Sequence, residues 1–385
     1  MDQKPLNILF LCSWYPNPDS ITNGIFIKRH AQALSLKHHV TVLFIKSIEA
    51  DAEQYIETND GNLKEILFFY PKSKVKIPII GSLFKFLKFK SNYKRQIDAL
   101  KSNFDIIHLN TIFPAAIPTI YVLRKFPSAK LFITEHWSGY YPEDGSYKGF
   151  LIKFYTQKIV AQAKAIFVIS DKLKNAMQSH NLVGNYELIN NVVDTSVFEP
   201  LLTENNITEG LQILHVSSLV DKEKNITGII NIAELLKQKK FQFNITIIGD
   251  NVDEINKHKE LAYNNLSTSE IKFVGYKNAS EIADYMNKSD VFLLFSNYEG
   301  MPVVLLEAMV CGLPVITTNV GQVNQMVTPA MGIVLNSNNI NECVEKLCIF
   351  KRSDFLNSEL MHQEIEKLYS YESLCKTLTK FYTNN

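Results

Sequence analysis

Two carboxylates bound the stretch Glu299-Gly300-Met301-Pro302-Val303-Val304-Leu305-Leu306-Glu307, and an apolar strand-like run, Val291 to Phe295, leads into it. Pro302 suits the first helical position, where a missing N–H is not needed. The unit therefore predicts strand, short loop and buried helix, with Glu299 in the loop and Glu307 about two turns along. Helical side chains lean back toward the N-terminus, which lets Glu307 approach whatever Glu299 lines. The free N–H groups of the helix start favour phosphate. Two hydroxyl-seeking carboxylates beside a phosphate cradle would suit a nucleotide sugar. A solvated loop Glu and a helix-surface Glu account for the stretch equally well.

Other candidates lie where strands hand over to helices. Gly24 follows the first strand, the place where α/β sheets bind ligands, and also reads as a plain turn glycine. There is no GxGxxG, so a dinucleotide fingerprint is not supported. Ser217-Ser218-Leu219-Val220-Asp221-Lys222-Glu223-Lys224-Asn225 is a second such turn. Its lysines are natural phosphate partners or ordinary surface charges. Thr134-Glu135-His136-Trp137 ends a strand, and His136 is placed to reach a substrate or to serve as a structural histidine; His108 is a weaker candidate of the same kind.

The elements that must position these residues alternate. Strands are expected at 7–13, 40–46, 65–70, 105–110, 130–135, 165–170 and 186–190. Helices are expected near 25–38, 114–124, 147–164 and 171–179. A second alternating set follows a polar connection, with strands near 211–217, 243–249, 271–274, 290–295, 314–317 and 332–335. Its helices fall near 225–239, 253–264, 280–287 and 302–310, and a helical tail spans about 353–382. Such alternation predicts doubly wound parallel sheets, and 385 residues predict more than one domain.

With 46% hydrophobic and 21% charged residues the chain reads as ordinary globular protein. Forty Lys+Arg against 39 Asp+Glu leave +1, so no global attraction to nucleic acid is implied. Five scattered cysteines without CxxC argue against disulfides or zinc and for a reducing compartment. The first residues lack the basic n-region of a signal peptide, and no run approaches the roughly 20 apolar residues of a membrane span. A cytoplasmic location is expected, with peripheral attachment to the inner face of the cell membrane as an option. That option rests on the run from Lys72 to Arg95, which carries eight Lys/Arg and no acid among apolar residues. Ile80, Leu83, Phe84 and Leu87 share one helical face, with Lys85, Lys88 and Arg95 turned away. A basic amphipathic helix rests on anionic lipid; a helix packed on the sheet with a solvated basic face is the alternative.

Taken together, the chain resembles the large retaining glycosyltransferase family of GT-B fold, the family 4-like, group 1 glycosyl transferases. The resemblance rests on the Glu299–Glu307 block and its continuation Ala308-Met309-Val310-Cys311-Gly312-Leu313-Pro314. It rests also on Asn191-Val192-Val193-Asp194-Thr195 with Phe198 and Pro200, on Phe273-Val274-Gly275-Tyr276, and on Lys224-Asn225. It implies two Rossmann-like domains facing a central cleft. Residues 1–190 would bind acceptor, 191–210 form a hinge and 211–366 bind the nucleotide sugar, with a C-terminal helix at about 367–385 packing back on the first domain. Residue by residue, it implies that Glu299 binds donor-sugar hydroxyls, with Gly300, Met301, Pro302 and Val303 alongside. Glu307 would bind the ribose diol and Lys224 the diphosphate. Gly24 would admit phosphate or acceptor, and the base would lie against Gly275 and Tyr276. His136 resembles the active-site His near the transferred sugar, so His136, Glu299 and Lys224 form the catalytic set. Where the family usually has Arg this chain has Ser218, and Lys222 is a candidate substitute.

The expected reaction is retaining, metal-independent transfer of a hexose, from UDP or GDP by preference, to a glycan or lipid-linked acceptor in cell-surface polysaccharide synthesis. No resident cofactor is expected, and no DxD pair is present to hold a metal. An epimerase of the same fold and a non-catalytic sugar-nucleotide-binding subunit are the rival readings. A two-lobed solute-binding protein would need export.

Overall fold

Runs read as strands buried on both faces are enclosed in the structure: Ile8, Leu9, Phe10 and Leu11 expose none of their surface. The computed structural model describes residues 4–73, 78–201 and 209–384. The chain divides into two units, one of 1–190 with 371–385 and one of Asn191–Ser370.

The first unit opens with β1 (Asn7–Cys12), α1 (Ile25–Ser35), β2 (His39–Ile48), β3 (Gln54–Asp60) and β4 (Leu63–Pro71). It continues through α2 (Pro78–Ala99), β5 (Ile106–Asn110), α3 (Ala116–Lys125), β6 (Lys130–Glu135) and α4 (Phe150–Val160). β7 (Ala165–Val168), α5 (Asp171–Ser179) and β8 (Tyr186–Leu188) complete the sheet, ordered β3-β4-β2-β1-β5-β6-β7-β8. All pairs are parallel except β3 with β4. That antiparallel edge strand is absent from the sequence expectation because QYIETND is almost wholly exposed and offers no apolar run.

The second unit runs β9 (Leu211–Val216), α6 (Asp221–Lys224), α7 (Ile226–Gln238), β10 (Phe243–Ile248), α8 (Val252–Ala262), β11 (Ile271–Gly275) and α9 (Ala279–Asn287). Then come β12 (Val291–Leu294), α10 (Val303–Val310), β13 (Val315–Thr318), α11 (Val323–Met326) and β14 (Gly332–Leu335). α12 (Ile340–Cys348) and α13 (Ser358–Tyr369) close it, and the all-parallel sheet has the order β11-β10-β9-β12-β13-β14. Asparagine starts several of its helices, with Asn225, Asn251, Asn278, Asn339 and Asn357 each accepting a backbone N–H of the first turn.

The helical tail breaks at Ser370, and α14 (Tyr371–Asn384) packs on α1 in the first unit. His38 Nε2 meets Thr379 Oγ1 at 2.8 Å, and Tyr382 is buried against His108 and Phe132.

On α2 the alternative in which the 83–87 face packs on the sheet does not hold. Leu83, Phe84 and Leu87 are exposed, and the helix buries Asn92, Tyr93 and Ile97 instead. Tyr93 and Ile97 are four apart, as one helix face requires, and they lie beyond the apolar cluster that dominates the sequence pattern. Residues 74–77, including Lys74 and Lys76, and the side chain of Ile80 lie outside the described part, as do residues 202–208 of the expected hinge. Among the described residues no helix is long and apolar enough to cross a membrane.

Candidate active site

In the second sheet the chain turns back at β9, which lies between β10 and β12. The carboxyl ends of β9 and β12 therefore open onto one crevice, the switch point where parallel α/β sheets bind ligands. β9 delivers the Ser217–Asn225 turn and β12 delivers Ser296 to Met301. Three contacts tie the two loops: Asn297 N–H to Glu223 O at 2.8 Å, Asn297 Nδ2 to Lys222 O at 3.1 Å, and Tyr298 Oη to Glu223 Oε1 at 3.2 Å.

Within this crevice Lys224 Nζ donates to both oxygens of Glu299, at 2.8 and 2.9 Å. Ser296 Oγ donates to Glu299 Oε1 at 2.8 Å. The two side chains are only 18% and 9% exposed, so the pair sits in reduced dielectric and is worth more than a surface bridge. The floor is polar too. Buried His215 bonds Leu293 O and Ser217 Oγ, and burial lowers its pKa to about 4, so it is a neutral ring.

The loop after Glu299 is held from several sides. Asn191 Nδ2 donates to Met301 O at 3.2 Å, and Gln322 N–H donates to Gly300 O at 2.9 Å. Pro302 is the N-cap of α10 rather than its first helical residue, and Val303 opens the helix; the difference is one residue because Pro302 keeps ψ at 105°, outside the helical range. Glu307 is buried along α10. Gly275 ends β11, and Tyr276 is exposed beside it. Ser218 is half-buried, whereas Lys222 is exposed. Lys224, Glu299 and the start of α10 are thus brought together, with Lys222 at the margin.

In the first unit, Gly24 is the N-cap of α1 at φ 72°, and a Cβ there would stand 2.8 Å from the backbone of Trp14 and Tyr15. No other residue suits both constraints. Two residues on, Phe26 lies 4.2 Å, centroid to centroid, from the His136 ring, and His30 lies 5.7 Å from it. The start of α1 and the end of β6 therefore meet at His136. Its Nε2 is buried without a hydrogen-bond partner. Burial first, then the neighbouring His30 and His108, holds its pKa well below the imidazole range, so the ring is neutral at pH 7. His108, by contrast, has both nitrogens engaged, by Tyr382 Oη and by Thr134 Oγ1, and is fully buried.

Several residues escaped the sequence reading. Glu135, next to His136, accepts the N–H groups of His136, Trp137 and Ile112 at 2.8, 2.9 and 3.0 Å, and the Tyr140 hydroxyl at 3.1 Å. It shapes the backbone under His136; burial raises its pKa while these four donors oppose the rise. Its signal was adjacency to His136. Ser296 and Gly321 support Glu299, and nothing in their local pattern announces it.

A family model described as glycosyl transferases group 1 matches residues 199–367, and one described as glycosyltransferase family 4 matches residues 24–197. An uncharacterized glycosyltransferase of Methanocaldococcus jannaschii is 26% identical over 344 residues, 85% of this chain and 93% of that one. The amylovoran biosynthesis glycosyltransferase AmsK of Erwinia amylovora is 38% identical over 114 residues, 28% of each chain. Among solved structures, Anabaena HepE in complex with UDP-glucose superposes with a TM-score of 0.70 at 14% identity, covering 99% of this chain and 100% of that one. The fold and the two matches end to end agree: this chain belongs to the group 1, family 4 glycosyltransferases of GT-B fold, and is a glycosyltransferase that takes a nucleotide-sugar donor.

Proposed function

We propose that the second unit binds a UDP- or GDP-hexose at the β9–β12 switch point and that the enzyme transfers the hexose, with retention and without a metal, to a glycan or lipid-linked acceptor in cell-surface polysaccharide synthesis. The observation that carries the donor site is the Lys224–Glu299 pair, half-sequestered beside the first turn of α10. In this reading Glu299 takes sugar hydroxyls, Glu307 the ribose diol and Lys224 the diphosphate. Gly300, Met301, Pro302 and Val303 flank the sugar and phosphates, Ser218 and Lys222 lie toward the diphosphate, and Gly275 and Tyr276 border the base. His136, neutral and with a free Nε2, hydrogen-bonds the sugar, and Gly24 admits the phosphates or acceptor. Relatives named for amylovoran synthesis and for a Klebsiella pneumoniae cps region support the polysaccharide assignment. A cytoplasmic location belongs to the same reading, since nucleotide sugars are the donors.

In the reaction, the bond from C1 to the phosphate oxygen breaks and its electron pair goes to the diphosphate. The acceptor oxygen bonds to C1 on the same face, and its proton passes to the leaving phosphate oxygen. Charge develops on that oxygen, where Lys224 and the free N–H groups of α10 are preorganised to receive it.

The test is donor hydrolysis across UDP-, GDP- and ADP-sugars in EDTA, with Glu299→Gln as control. Slow EDTA-insensitive turnover of one donor, reduced roughly 10²–10³-fold in the variant, is expected. Turnover unchanged by Glu299→Gln overturns the donor site, and an epimerised donor without free sugar overturns the transferase assignment.

A further inference from the structure

The turn that carries Lys224 into the β9–β12 crevice pivots on one residue. Leu219 sits at φ +61°, a left-handed backbone that a leucine adopts only at a cost, and its side chain is fully buried. The chain leaves β9 through Leu219 and enters α6 two residues later. This dihedral therefore sets the direction of α6 and, with it, the position of Lys224 at the helix end.

Side chains hold both backbone polar groups of Leu219. Its N–H donates to Ser217 Oγ at 3.1 Å. Ser217 Oγ in turn donates to His215 Nε2 at 2.7 Å, since His215 Nδ1–H is committed to Leu293 O. The carbonyl oxygen of Leu219 accepts from His258 Nε2–H at 3.2 Å, and Glu254 Oε2 lies 3.3 Å from the same nitrogen. Two acceptors facing Nε2 put a proton there. The Leu219 side chain rests on Gly249, where a Cβ would stand 2.4 Å from its Cγ.

Stability alone does not account for a histidine at 258. It shares the buried face of α8 with Ile255 and Ala262, at i, i+3 and i+7, a core position where an apolar side chain would pack. The imidazole is fully buried, and its Nδ1 has no hydrogen-bond partner among the described residues. An unsatisfied buried polar atom is destabilising. What the ring supplies against that is the N–H that holds Leu219 O.

We propose that His258 is a positioning residue for the nucleotide-sugar site: it locks Leu219 in the left-handed turn and so aims α6 that Lys224 meets Glu299 and the donor diphosphate. The inference rests on the donor site proposed above and adds to it a residue of α8, a helix that contributes nothing else to that reading.

The test uses the full chain and the donor of the UDP-, GDP- and ADP-sugar panel that turns over, with kcat and KM measured well below Tm. His258→Leu, which fills the site and has no N–H, lowers kcat/KM about 10–10²-fold, the size of a positioning loss of up to about 1 Å. His258→Gln, whose amide N–H reaches toward the same oxygen, recovers most of it. Lys224→Gln alone lowers kcat/KM about 10²–10³-fold. Adding His258→Leu to it lowers kcat/KM by no more than about twofold further, because the histidine acts through the lysine. Gly249→Ala pushes Leu219 from the end of β10 and gives the same pattern, which keeps the test decisive if His258→Leu misfolds. Losses that multiply in the double variant overturn the inference and leave the donor site intact. So does a lowered Tm with wild-type kcat/KM in both His258→Leu and Gly249→Ala. Turnover unchanged by Lys224→Gln and by Glu299→Gln overturns the donor site, and the inference with it.

Discussion

A single methyl group at Gly321 tests whether the Glu299 loop is positioned from behind. Gly321 has φ +58°, and a Cβ there would lie 2.2 Å from Gly300 O and 2.4 Å from Glu299 O, both backbone atoms. Reaching an ordinary C···O separation of roughly 3.3 Å requires this backbone to retreat by about 1 Å. Gly61 provides the control, with φ +55° and nothing within 4 Å of its ideal Cβ. Alanine at either site costs about 1–2 kcal/mol for the left-handed backbone. Only Gly321→Ala adds an overpacking term of about 1–3 kcal/mol, for a total of about 2–5 kcal/mol. At roughly 2–4 °C per kcal/mol for bodies of this size, Gly61→Ala lowers Tm by about 2–8 °C and Gly321→Ala by about 4–20 °C. Donor hydrolysis separates them more sharply. A displacement of about 1 Å in a positioning loop costs roughly 10²-fold, so kcat/KM falls by about that factor in Gly321→Ala and stays at the wild-type level in Gly61→Ala. Equal melting shifts together with wild-type hydrolysis in Gly321→Ala would refute the argument that the 319–322 turn positions Glu299.

Two further outcomes follow from buried groups. Tyr382→Phe leaves His108 Nδ1 without its partner in a fully buried site, and urea denaturation should show a loss of about 1–3 kcal/mol; a loss below about 0.5 kcal/mol would mean the contact contributes nothing net. Burial lowers the folded-state pKa of His30, His38 and His215 to about 4 and of His108 to about 3. The unfolded chain binds these protons from about pH 6.5 downward, so the stability they confer is fully present above 6.5 and drains away as pH falls toward 4, at about 1.4 kcal/mol per pH unit for each ring. Glu135, raised by burial, offsets part of this. Denaturation midpoints constant from pH 7.5 to 5 would contradict it.

Elements buried on both faces are legible in the sequence, whereas those held by polar pairing are not. The central parallel strands such as β1 announce themselves through continuous apolar runs, because both faces are covered; β3 does not, because it is an exposed edge strand held by its antiparallel ladder to β4. On α2 the apolar cluster at 83–87 read either as a lipid-facing or as a packing face; it is exposed, and Tyr93 and Ile97 pack instead. Amphipathicity says that a face is apolar and is silent about which surface covers it. The Glu299 loop and Lys224 were legible because residue types and strand-to-helix turns carry the information. The contacts of Asn191 with Met301 and of Gly321 with the Glu299–Gly300 backbone were not, since each partner lies far along the chain; Ser296 lies only three residues from Glu299, but a lone serine carries no signal of the bond it makes. Glu135 was overlooked beside the more chemically suggestive His136, although it makes four of the local hydrogen bonds.

The Lys224–Glu299 pair also bears on the place of Ser218, where the resemblance leads one to expect an arginine. With that charge missing and Lys222 exposed at the margin, Lys224 is the half-buried cation of the β9–β12 crevice, and it is already bonded to both oxygens of Glu299. In the proposed donor site an arriving diphosphate would therefore compete for Lys224 with a carboxylate that is only 9% exposed. Drawing the lysine away would strand that carboxylate with Ser296 as its remaining hydrogen-bond donor, and an underbonded, nearly buried charge is expensive. Sugar hydroxyls would remove the difficulty by donating to Glu299 as Lys224 turned to the phosphate. Nucleoside diphosphate alone brings no such hydroxyls to that position. In the proposed donor reading the sugar and the diphosphate are bound interdependently, and the Lys224–Glu299 pair is the element that favours the intact donor over its product.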